Sequence, residues 1–165
     1  MPIVETLSAA FEPWATMYGE STALSVALTF AHLGSMMVGG GLAIAADRTV
    51  LRAGMVEDST ARVALAGALA DVHRPVVIAL VVSAVSGGLQ LAADVETFVG
   101  SKVMWVKVGL LVLLAVNGAL MLRDERAVHR TAGAGRAFGK LRIRAVASLV
   151  LWLAITLAGV GLMQG

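Results

Sequence analysis

Four long apolar runs, at residues 22–46, 72–92, 103–122 and 145–163, constrain this chain more than any other feature. A helix of about 20 mostly apolar residues crosses the roughly 30 Å hydrocarbon core of a bilayer. Lipid offers the backbone no other hydrogen-bond partner, so each run is expected to be a helix. None of the four carries Asp or Glu in its middle. Pro75 falls in the first turn of the second run, where a missing N–H costs little. The expected fold is an all-α integral membrane four-helix bundle, a single domain over residues 1–165.

Composition agrees. Hydrophobic residues make up 58% of the chain and charged residues 15%, with a mean hydropathy of +0.85. Soluble domains lie nearer about 45–50% apolar and about 25% charged, so an ordinary soluble domain and a disordered chain are both excluded. The absence of cysteine excludes disulfides, thiolate metal sites and iron–sulfur clusters.

The net charge is +2 and the pI is near 9.5, but the basic residues sit in two segments between the apolar runs, so no nucleic-acid partner is implied. Residues 47–74 carry Arg48, Arg52, Arg62 and Arg74, and residues 123–144 carry Arg123, Arg126, Arg130, Arg136, Lys140, Arg142 and Arg144. The opposite side carries only Lys102. The positive-inside rule then puts both basic segments in the cytoplasm, and both termini and residues 93–102 outside. The expected location is the inner (plasma) membrane, spanned several times, with the lipid bilayer as the first partner.

Residues 1–21 place Ile3, Val4, Leu7, Phe11, Trp14 and Tyr18 largely on one helical stripe. This predicts a short interfacial helix on the outer surface. The segment contains Glu5, Glu12 and Glu20 and no Lys or Arg, unlike the basic front of a signal peptide. Residues 60–70 are expected to extend the second helix on the cytoplasmic side.

Small residues allow close helix approach, and Ser35/Gly39 and Ser83/Gly87 are spaced for it. Gly40–Gly41, Gly88, Gly109, Gly118, Gly159 and Gly161 add to the pattern. They serve either plain packing or the accommodation of a flat cofactor.

Ionisable residues inside a membrane are costly and need a reason. His32 lies about 15 Å along its helix from the outer end and is too short to reach the headgroups. Neutral imidazole is a strong ligand for haem iron. Thr29 and Ser35, one turn away on either side, are candidates to bond its second nitrogen. The alternative is a buried histidine bonded to a carbonyl across a helix contact. Lys107 lies at a similar depth on the third span; it is either a neutral amine ligand or a lysine snorkelling to the headgroups.

His73, more than about 10 Å deeper than His32, reads as an interfacial residue near Asp71 and Arg74. His129, in the second basic segment, reads as solvated. Asn117 is expected to bond across helices. Asp47 and Arg48 are expected to form a local ion pair closing the first span. No phosphate loop, HExxH, GxSxG or pair of intramembrane carboxylates is visible, which weighs against hydrolysis, phosphoryl transfer and ion pumping.

Ala31-His32-Leu33-Gly34, Gly39-Gly40-Gly41 and Asp47-Arg48 resemble the first helix of a superfamily of small four-helix membrane proteins. That group includes CopD-like copper-resistance proteins and HemJ-type protoporphyrinogen oxidases. The resemblance extends through Pro75, Gly87-Gly88, Trp105 and Lys107, covering about residues 31–122. It implies haem b binding by a first-helix histidine and a third-helix lysine, here His32 and Lys107. The chain has Val116-Asn117 where HemJ-type proteins carry a Tyr-His pair, which weighs against protoporphyrinogen oxidation itself.

Three functions follow as expectations. The first is a haem b protein, with His32 and Lys107 as cofactor-binding and metal-ligating residues, serving electron transfer or tetrapyrrole redox chemistry with a redox partner. The second is a non-enzymatic accessory subunit of a larger membrane complex. The third is a copper or small-solute permease component, with Met17, Met36, Met37 and Met104 as candidate ligands.

Overall fold

The computed structural model describes residues 2–53, 58–131 and 135–162. The described residues form six helices and no strand: α1 (Pro2–Glu20), α2 (Thr22–Ala53), α3 (Ser59–Ala93), α4 (Val95–Gly100), α5 (Lys102–Arg130) and α6 (Gly135–Leu162). Helices α2, α3, α5 and α6 are long and apolar enough to cross a membrane. Their outward faces carry large apolar side chains with nothing of the protein over them, such as Phe30, Met37, Leu153 and Leu157. That is how a helix reads when its solvent is hydrocarbon.

These helices are longer than the apolar runs that announce them. Most of the two basic segments is helical, so only a few residues separate α2 from α3 and α5 from α6. Residues 60–70 do belong to α3. At about 1.5 Å per residue the 35 residues of α3 run about 52 Å, well beyond a hydrocarbon core. Pro75 therefore lies inside the helix rather than in its first turn, and the Asp71 carbonyl loses its usual partner.

Capping sets several ends. Asp58 accepts from the Thr60 N–H at 2.9 Å to start α3, Asp94 from the Thr97 N–H at 3.2 Å to start α4, and Ser101 from the Met104 N–H at 3.4 Å to start α5.

Helix α2 packs mainly on α3, and α5 on α6; the two hairpins join through α2 and α6. Gly39 lets α2 approach α3, and Gly40 lets it approach α6. A Cβ at Gly39 would stand 2.9 Å from the Ala79 Cβ, and one at Gly40 3.2 Å from the Trp152 ring. Helix α1 lies against α3 and α4, where the Trp14 indole N–H donates to the Leu89 carbonyl at 2.8 Å.

The best-packed core sits at the end where the arginines cluster, hereafter the basic end. Val50, Ala66, Val128, Leu141 and Ala145 are fully buried there. Toward the opposite, terminal end the seam between α3 and α5 is loosely closed. Two cavities of about 430 Å³ each lie along it.

Candidate functional site

The cavity nearer the terminal end is lined by His32 from α2, Gly87, Gly88 and Gln90 from α3, and Met104 and Lys107 from α5, among others. His32 and Lys107 thus line one space. A Cβ placed on Gly159 of α6 would stand 3.8 Å from the Lys107 Nζ.

His32 is held from α3. Its Nδ1 lies 2.9 Å from the Ser83 carbonyl oxygen. A carbonyl can only accept, so Nδ1 carries the proton and donates it. The Ser83 and Ser86 hydroxyl oxygens sit 3.4 Å from the same nitrogen. Ser86 spends its own proton on the Val82 carbonyl at 2.7 Å, leaving a lone pair toward the ring. With Nδ1 protonated, Nε2 bears a lone pair, and no described residue hydrogen-bonds it.

The ring packs on Gly87, where a Cβ would come within 2.9 Å of Cε1. So Gly87 is a cradle that any larger residue would fill. Thr29 and Ser35 do not supply the partner expected of them; Ser35 donates instead to the His32 backbone carbonyl at 3.0 Å, as helix hydroxyls often do. Gly88, by contrast, has open space where its Cβ would be and opens onto the cavity. The Gln90 amide nitrogen is buried without a hydrogen-bond partner beside this cavity.

The second cavity lies nearer the basic end, and Leu80, Ala84 and Ala115 line both. Its polar lining comes from four helices: Asp47 of α2, His73 of α3, Asn117 of α5 and Ser148 of α6. This cluster departs from expectation. Asp47 is only 2% exposed, faces Ser148 and makes no ion pair with Arg48 among the described residues. His73 turns from Asp71 and Arg74 toward Glu125 of α5, with Nδ1 3.4 Å from Oε1 and 3.0 Å from the Leu69 carbonyl. Glu125 is itself only 3% exposed. Two carboxylates are therefore buried between helices where none was expected. Asn117 does bond across helices, its Nδ2 donating to the Arg144 carbonyl of α6 at 3.0 Å.

Among the described residues no group of three or more His, Asp and Glu side chains converges as a protein-held metal site would require. No family model, curated protein or solved structure is similar to this chain.

Proposed function

We propose that this chain is a multi-pass inner-membrane protein, its basic end in the cytoplasm, that holds haem b in the cavity at the terminal end. There it serves electron transfer or tetrapyrrole redox chemistry. One observation carries this reading. The Ser83 carbonyl fixes the His32 tautomer and leaves Nε2 with a lone pair, and His32 lines one cavity together with Lys107. Histidines that bind metal almost always donate their other ring N–H in this way, which aims the ring and raises its basicity.

The residues present fit the group. Nε2 is a neutral nitrogen donor, and the Lys107 amine is a second one from the facing helix. Gly88 leaves the cavity wall open. The unpartnered Gln90 amide donor suits a carboxylate of the kind a porphyrin carries. When bound, haem supplies a reversible one-electron couple. The chain's own part is to fix the imidazole through Ser83, seat it on Gly87 and exclude water with the apolar wall around Met36, Leu111 and Phe98.

The test is the absorption spectrum of the purified protein, oxidised and reduced, with haem supplied during expression. A Soret band is expected, and His32→Ala should abolish it while the helix content stays unchanged. An identical spectrum from His32→Ala rejects the ligand assignment.

A second reading, an accessory subunit of a larger complex, draws on α1. Leu7, Phe11 and Met17 remain exposed although that helix is docked on its own bundle. It predicts a haem-free chain that co-purifies with larger proteins in mild detergent. A stable, isolated, haem-free monomer would count against both readings.

A further inference from the structure

The cavity at the basic end is the least explained part of the molecule. Its wall is almost wholly apolar, yet it holds a carboxylate oxygen, Asp47 Oδ2, that is buried and has no hydrogen-bond partner. A native protein rarely leaves such a group unsatisfied without a ligand, ion or water in prospect.

The polar atoms that remain free there are mostly acceptors. Asp47 Oδ2 is an acceptor when ionised. The Asn117 amide spends one N–H on the Arg144 carbonyl, which leaves its oxygen and a second N–H. His73 Nδ1 faces two acceptors, the Leu69 carbonyl and Glu125 Oε1, so the proton sits there, and in the neutral ring Nε2 keeps a lone pair. Ser148, the one hydroxyl of the set, is turned to Asp47. Three acceptors from three helices ask for a ligand with more than one donor.

The access route favours an apolar, neutral body. The rim of the cavity along the seam is Val77, Val81 and Ala84 on α3 and Ala115 and Ala119 on α5, all exposed on the helix faces that read as lipid-facing. The Trp152 ring on the opposite wall offers an aromatic surface. A soluble cation would have to pass Arg48, Arg52 and Arg74 at the basic end, so a molecule dissolved in the membrane is the better match.

We infer that this cavity binds a membrane-soluble hydroquinone, its hydroxyls donating to Asp47 and its acceptor neighbours, and that it discriminates against the oxidised quinone, which has only acceptors to offer. The inference does not rest on haem binding, because its polar groups, Asp47, His73, Asn117 and Ser148, do not line the His32 cavity.

The experiment measures binding of decyl-benzohydroquinone and decyl-benzoquinone, anaerobically, to the full chain in lipid nanodiscs. One mismatched buried acceptor is expected to favour the hydroquinone by about tenfold or more. Asp47→Asn, which adds a donor at the same shape, should erase that preference. Gly118→Leu, whose new side chain meets no neighbour within 4 Å at Cβ and enters the cavity, should block both probes without disturbing the fold. His32→Ala should leave both affinities unchanged, which separates a failure here from a failure of the haem reading. Equal affinity for the two probes, an undiminished preference in Asp47→Asn, or undiminished binding in Gly118→Leu would overturn the proposal.

Discussion

The two cavities along the α3–α5 seam have the same size and different chemistry. The one at the terminal end is lined by nitrogen groups, the His32 imidazole, the Lys107 amine and the Gln90 amide. The one at the basic end has a buried carboxylate, Asp47, with an unpartnered acceptor oxygen. In an apolar wall the character of a site is decided by a few polar atoms, because each unmatched one costs about 1–3 kcal/mol. Neighbouring spaces of equal volume can therefore select different molecules.

Several substitutions would break or sharpen this contrast. The largest effect belongs to Trp152, which walls the basic-end cavity and rests on Gly40. Trp152→Ala should merge that cavity with the packing space beside α2 and cost about 3–5 kcal/mol, read as loss of thermal stability in detergent. Gly39→Ala comes next. Its Cβ would meet the Ala79 Cβ at 2.9 Å with no flexible end to yield, at a cost of about 1–3 kcal/mol. Two positions along the same helix, Gly41→Ala meets nothing within 4 Å and should stabilise by up to about 1 kcal/mol. Equal melting temperatures for these two variants would deny that α2 approaches α3 as closely as described.

The sharper pair removes one orphaned polar atom from each cavity. Asp47→Leu should raise stability by about 1–3 kcal/mol while abolishing hydroquinone binding, since an apolar residue relieves a desolvated carboxylate. Gln90→Leu should raise it by less, because that side chain is only partly buried, and should weaken haem retention instead. Binding assays on both variants would show whether the two sites are separable. Loss of both ligands in either variant would mean one continuous site.

Much of the bundle is legible in hydropathy, because twenty apolar residues in lipid leave the backbone no alternative to a helix. The ends are not legible. A hydropathy window stops at the first cluster of arginines, whereas the helix continues as long as its inner face can pack, as Val50, Ala66 and Val128 do. The same limit hid the basic-end cavity. Asp47 and Arg48 look like a pair when written side by side, but adjacent residues on a helix point about 100° apart. One turns inward to Ser148 while the other is exposed. His32 stood out because nothing else ionisable lies near it in the first run. Its partner did not, since a backbone carbonyl 51 residues away carries no mark in sequence. Asn117 and the small residues of α3 announced contacts without saying with whom.

The placement of the tight core has one more consequence. The two hairpins are fastened where Val50, Leu141 and Ala145 interlock and again at Trp152 and Ile155, and only the α3–α5 seam is left loosely closed. A guest sliding in from the side would then strain only that seam, and the molecule could change its contents without loosening what keeps it folded.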